Sequence, residues 1–163
     1  MKKINCQNNN CEKFVTLFNS MAEGVALHSY VYDKNGVIVN YIIDDVNNAF
    51  EKILGMSKKK VSGKLATEIY GVSSPPFLEK YINLKTGESR NFDGYFEPLK
   101  KHFSVSASPW GEDGFVTIFF NITEQKKVED ELRQKNDSLE KMNKLMIDRE
   151  LKMIDLKEKL KNK

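Results

Sequence analysis

The chain has 163 residues, with 26 basic and 23 acidic side chains, a net charge of +3, 40% apolar residues, and 10 Phe, 6 Tyr and 1 Trp. So many aromatic side chains exclude a chain that never collapses, and the length fits one domain with an appendage. No run of 18 apolar residues occurs, which excludes a bilayer-spanning helix, and the polar Gln7-Asn8-Asn9-Asn10 behind the basic start is not the apolar core of a secretion signal.

Charge divides the chain. Residues 124–163 hold 12 basic and 10 acidic side chains, while the rest holds 14 and 13 over three times the length. Mixed sign argues against a nucleic-acid arm, which needs clustered basic charge to release counterions. The two cysteines, Cys6 and Cys11, lie in a polar leader. Two cysteines make no disulfide framework, and they read as free thiols in a reducing cytoplasm. Their C-x4-C spacing supplies only half of a zinc site.

In chain order, residues 1–12 read as a flexible leader. Residues 13–23 read as a short amphipathic helix, with Phe14, Leu17, Phe18 and Met21 at i, i+3, i+4 and i+7, and Gly24 as its stop. Residues 24–123 carry the pattern of an α+β domain. Two β-rich runs, 25–32 and 37–46, flank Asp33-Lys34-Asn35-Gly36, a hairpin signal in which Asn and Gly both accept positive φ. Residues 47–54 read as a helix, with Asn47 or Asn48 as N-cap and Gly55 as stop. Residues 56–87 read as short helices and loops. Within them Pro75-Pro76 opens a helix carrying Phe77, Leu78, Tyr81, Ile82 and Leu84. Three further β-type runs follow at 89–96, 101–108 and 115–122. The alternation of Phe103, Val105 and Ala107 with Ser104, Ser106 and Ser108 marks a half-buried strand. Two strands, helices, then three strands give an antiparallel sheet with helices gathered on one face.

From Glu124 to Lys163 there is neither Gly nor Pro. Six acid-before-base pairs at i, i+4, from Glu129/Arg133 to Asp155/Lys159, support a helix by roughly 0.2–0.5 kcal/mol each. Steps of 4 and 3 from Val128 give Leu132, Lys135, Leu139, Met142, Met146, Arg149, Met153, Leu156 and Leu160, a two-stranded coiled-coil seam with two polar breaks. Leu145, Ile147, Leu151 and Ile154 lie beside that seam. A helix folded back on its own domain is the competing reading.

The stretch Val46-Asn47-Asn48-Ala49-Phe50-Glu51-Lys52-Ile53-Leu54-Gly55-Met56-Ser57 resembles a PAS domain, as does Val61-Ser62-Gly63-Lys64 behind it. Upstream, Asn19-Ser20-Met21-Ala22-Glu23-Gly24 resembles the family's approach to its first strand. Tyr95-Phe96-Glu97-Pro98-Leu99 and Phe103-Ser104-Val105-Ser106-Ala107-Ser108-Pro109 resemble its paired late strands. Asn121-Ile122-Thr123-Glu124-Gln125-Lys126 resembles the Asp-Ile-Thr-Glu motif that joins the last strand to a signalling helix. The resemblance covers residues 14–130. It implies a PAS fold: five antiparallel strands in the order 2-1-5-4-3, helices covering one face, and a small-molecule pocket between them. It also implies a sensory input module, commonly of a histidine kinase, with a diguanylate cyclase as another output. The expected assembly is a cytoplasmic homodimer through a parallel coiled coil and the N-terminal helix, with the output domain outside this chain.

Asn121 stands where the family's motif has Asp. It can still accept a backbone N–H at the helix start, but it cannot form a full ion pair. Asn121, Thr123 and Glu124 are therefore the expected coupling residues. Leu132, Leu139, Met142, Met146, Met153, Leu156 and Leu160 are the expected dimer seam.

No catalytic cluster, phosphate loop or paired-His metal motif occurs, so the chain reads as non-catalytic. His28 and His102 read as structural or solvent-facing. Neither lies in segment 74–85, where the resemblance would place a haem ligand, and residues 47–85 lack the Cys of a flavin adduct. A small organic ligand is the class left open. The candidate pocket residues are Phe50, Tyr70, Phe77, Tyr81, Tyr95, Phe103 and Phe119, with the three tyrosine hydroxyls to orient a ligand. The same aromatics could equally fill the space as ordinary core.

Overall fold

The computed structural model describes residues 9–161. Cys6 and most of the expected leader lie outside them. Helix α1 (Asn9–Ser20) starts earlier than its apolar periodicity predicts. Cys11, on its first turn, is disulfide-bonded. The reading of two free thiols therefore fails, and with it the cysteine argument for a reducing compartment. Two compact units divide the chain, one ending at Thr123 and the other beginning at Glu124.

In the first unit, β1 (Gly24–Tyr32) and β2 (Ile38–Val46) form the expected hairpin. The turn is not the predicted one. Only Gly36 takes a positive φ, at 78°. Asp33 organises the rest: its Oδ1 accepts the N–H groups of Asn35 and Val37, each at 2.8 Å. A carboxylate thus supplies the turn geometry that Asn35 was expected to supply by its own backbone.

Four short helices follow: α2 (Asn48–Leu54), α3 (Lys58–Val61), α4 (Ala66–Tyr70) and α5 (Leu78–Tyr81). Asn47 caps α2, and Gly55 closes it at φ 71°, as the sequence indicates. Helix α5 is shorter than expected, because Phe77 adopts φ 57° and Asn83 φ 59°. A left-handed aromatic residue costs about 1–2 kcal/mol and cannot continue a helix. Burial of its ring against Phe92 and Phe96 offsets that cost. Gly94 makes the approach feasible, since a Cβ there would lie 2.6 Å from the Phe77 ring.

Strands β4 (Arg90–Phe96), β5 (Lys101–Pro109) and β6 (Gly114–Asn121) complete the main sheet. The full order is β3-β2-β1-β6-β5-β4, all antiparallel. The expected five-strand order is retained, but the sheet has six strands. The extra one, β3 (Lys64–Leu65), is a two-residue strip paired with Ile42 and Ile43. It is too short to leave a period-2 pattern in the sequence.

Alternation on the strands builds two cores. Ala26, Tyr41, Ile43, Val105, Ala107, Phe115 and Phe119 face α2–α5. On the opposite face, Val25 and Leu27 pack with Phe14 and Phe18 of α1 and with Met21 just behind it. Leu17, expected on that apolar stripe, is instead 63% exposed. So α2–α5 share one face of the sheet while α1 covers part of the other.

The second unit continues from α6 (Thr123–Lys161), a single 39-residue helix. Asp155 and Lys159 pair at 2.6 Å as predicted, whereas Arg133 chooses Asp130 at i, i+3. No helix among the described residues is long and apolar enough to cross a membrane.

Candidate functional site

A cavity of about 50 Å³ lies between α2–α5 and the sheet. At roughly 10–15 Å³ per water position, it has room for three to five heavy atoms. Of the predicted pocket residues, Phe50, Tyr70, Phe77, Tyr81, Phe103 and Phe119 line it. Tyr95 does not. It is 45% exposed and its ring lies 4.9 Å from that of His102. Its neighbours Gly94 and Phe96 take the inward direction, so strand alternation sends Tyr95 out.

The sequence reading missed three polar members of the wall: His28, Tyr41 and Thr117. Period-2 alternation could have found His28, since Ala26 and His28 share a strand face. His28 is only 4% exposed, so of the two expected alternatives, structural or solvent-facing, it is the structural one. Its ring stacks on Phe115 at 4.5 Å and meets Tyr41 edge-on at 5.1 Å. Nε2 lies 3.0 Å from Thr117 Oγ1, and Nδ1 is buried with no well-formed hydrogen bond among the described residues.

Electrostatically the cavity wall is neutral. Burial drives the His28 pKa down to about 3, and the Ile42 backbone beside the ring opposes this. Burial pushes the hydroxyls of Tyr41, Tyr70 and Tyr81 well above their ordinary range. The Tyr41 hydroxyl donates to the Pro76 carbonyl at 3.1 Å, tying the segment before α5 to β2.

A pH dependence follows from His28. A folded-state pKa near 3 lies below the ordinary 6.5. Stability is therefore full above pH 6.5 and falls as pH drops toward 3, because the unfolded chain takes up a proton that the native ring refuses. Urea unfolding at pH 7.5 and 4.5 is expected to show about 2–3 kcal/mol more acid loss for the natural chain than for His28→Leu.

Two of the three expected coupling residues, Asn121 and Thr123, form a compact knot at the end of β6. Asn121 Oδ1 accepts from the Thr123 N–H at 3.0 Å and from the Thr123 hydroxyl at 2.6 Å. Thr123 Oγ1 in turn accepts from the His102 N–H at 2.9 Å, and the Ile122 N–H donates to the His102 carbonyl. Thr123 thus serves β5 instead of capping α6. Glu124 plays no part in the knot and pairs with Lys127 at 2.8 Å.

On α6, Leu132, Leu139, Met142, Met146, Met153 and Leu160 are all exposed, from 51% at Met153 to 75% at Leu160. The Leu156 side chain lies outside the described residues. Leu145, Ile147, Leu151 and Ile154 are exposed as well.

Among the described residues, no cluster of three or more His, Cys, Asp or Glu side chains could hold a metal ion. A comparison with curated proteins finds no match. Among 22 solved chains that do match is the PAS domain of Bordetella pertussis BvgS, with 17% sequence identity, a TM-score of 0.43, and coverage of 79% of this chain and 99% of that one. Residues 12–88 match a family model described as PAS domain. That stretch runs from α1 through the loop behind α5 and carries the Asn47 cap and nine of the fourteen residues that line the cavity, so this chain carries a PAS domain, a sensory module typical of signalling proteins.

Proposed function

We propose that this chain is the input module of a homodimeric signalling protein, most simply a histidine kinase, and that it is not itself an enzyme. Changes in how α2–α5 pack on the sheet reach β6, pass the Asn121–Thr123–His102 knot, and alter the pairing of two α6 helices. The observation that carries this reading is the apolar seam of α6. An isolated helix of this kind is marginal in water, and a second copy is the partner its heptad spacing fits. On α1, the exposed Val15 and Leu17 offer a second contact between copies. For the packing change to be transmitted, the stimulus must favour one of two arrangements, since equal affinity for both shifts nothing.

Light scattering across a concentration series tests the seam. The whole chain should be a dimer. Leu139→Lys combined with Met146→Lys should weaken association by roughly 100-fold or more while leaving the melting of the first unit in place. A chain that stays monomeric at every concentration would refute the proposal.

The small cavity favours a second reading, a dimerisation module whose core is filled by its own side chains. Melting curves taken with small organic molecules separate the two: a molecule that raises the melting temperature of the first unit favours the sensory reading, and a melt that none of them shifts favours the filled core.

A further inference from the structure

The sequence around α5 asks for a longer helix than the fold allows. Pro75-Pro76 followed by Phe77, Leu78, Tyr81 and Ile82 is a helix-opening pattern, since proline suits the first helical position. The fold instead confines α5 to Leu78–Tyr81 and brackets it with two left-handed residues, Phe77 at φ 57° and Asn83 at φ 59°. Asparagine tolerates that region, whereas an aromatic side chain is strained in it.

Two sets of contacts hold the strained form. The Phe77 ring lies over Gly94, with Phe92 at 5.4 Å and Phe96 at 6.3 Å. Side chains from three strands also grip backbone carbonyls of the segment. Tyr41 of β2 donates its hydroxyl to Pro76 at 3.1 Å, and Tyr30 of β1 donates to Tyr81 at 2.6 Å. Arg90 of β4 donates to Lys80 at 2.9 Å and to Ile82 at 3.3 Å.

We propose that the segment from Pro76 to Asn83 has two states, in which the short, strained α5 alternates with a longer helix that begins at Pro76 and takes the Phe77 ring off Gly94. This rests on the sensory reading above and deepens it, by naming the two arrangements between which a stimulus chooses.

The backbone defines the second state. The Lys80 N–H now donates to the Phe77 carbonyl at 2.8 Å. With Phe77 right-handed, the same N–H falls opposite the Pro76 carbonyl, four residues back. That carbonyl is the acceptor Tyr41 uses. The Phe77 ring then lies one turn above Tyr81, because i and i+4 share a helix face. Phe77 gives up Phe92 and Phe96 and gains an unstrained backbone. These terms oppose each other, which brings the two forms close in free energy. The change is felt on β1, β2 and β4 together, since their side chains hold the carbonyls that move. Strand β1 is paired with β6 along the register Gly24↔Phe119 to Ser29↔Gly114, so the last strand adjoins it directly.

NMR on the whole chain tests this. A cross-peak from the Pro76 Hα to the Glu79 N–H marks the long helix, and relaxation dispersion on the amides from Phe77 to Leu84 detects a minor form. The natural chain is expected to be short at α5 and to exchange with a long form of roughly 1–10%. Gly94→Ala sets a Cβ 2.6 Å from the ring and should make the long form the major one. Two variants that both remove the ring separate backbone from packing. Phe77→Gly accepts positive φ and should keep α5 short, whereas Phe77→Ala favours the helix and should lengthen it. The same α5 length in these two variants would overturn the backbone argument. Absence of exchange in the natural chain, or a short α5 in Gly94→Ala, would overturn the second state. Light scattering on Phe77→Ala keeps this apart from the reading it rests on. A lengthened α5 with unaltered α6 pairing would retain the two states and refute their part in signalling, while a short α5 in a dimeric chain would refute the states and leave the dimer standing.

Discussion

Asn47→Asp is expected to cost the domain about 3–5 kcal/mol, a fall of roughly 10–20 °C in melting temperature. Asn47 is 1% exposed and every hydrogen-bonding position of its side-chain amide is used. Oδ1 accepts from the Val25 and Phe50 N–H groups, each at 2.9 Å. Nδ2 donates to the Phe18 carbonyl at 3.0 Å and to the Glu23 carbonyl at 2.9 Å. One amide therefore joins the end of α1, the start of β1 and the first turn of α2. Aspartate keeps the acceptor side, but it sets a buried anion against two carbonyls that have lost their donors. Thermal melts at several pH values supply a second readout. The deficit should shrink as pH falls, because a protonated carboxyl regains one donor. A variant that melts within 2–3 °C of the natural chain would show that these four bonds matter little.

Phe115→Ala is expected to cost a similar amount, about 3–5 kcal/mol. The Phe115 ring is fully buried, with Tyr81 at 4.7 Å, Tyr30 at 5.0 Å and Tyr41 at 5.4 Å around it, besides the stacked His28. Truncation opens a void beside the β1–β6 pairing, and the rings packed around it are too constrained to collapse into it. Phe120, five residues on, is the matched control. It lies on the other face of β6 and is 48% exposed. Its replacement by Ala should change stability by no more than about 0.5 kcal/mol. Chemical denaturation of the two variants measures the contrast. Comparable losses would mean that the inward and outward faces of β6 are misassigned.

Most of the architecture was legible because it is written in local patterns. Alternation in β5, the Asn-then-Gly bracket around α2, and the unbroken polar helix after residue 123 each declare themselves within a few turns of chain. What escaped depends on distant partners. The sequence marks Asn47 as a cap, yet three of its four side-chain bonds reach residues more than twenty positions away. Phe77 looks like a helical residue until Gly94 supplies room for its ring on another strand. Tyr95 was grouped with the pocket on hydroxyl chemistry alone, and alternation along its own strand should have removed it. His28 was set aside because no motif contains it, although its strand neighbours already place it inward. The strip β3 left no pattern to read, being two residues held by an edge.

The place of β6 beside β1 has a consequence for how the protein is made. These neighbours in the middle of the sheet are about ninety residues apart in the chain. A nascent chain that has reached only Glu88 carries α1 to α5 and the first three strands, but β1 still shows an unpaired edge and the cavity lacks its floor. Closure waits for Asn121. The helix that would join two copies is synthesised directly afterwards, so on the ribosome each receptor can shut before its tail is long enough to find a neighbour's.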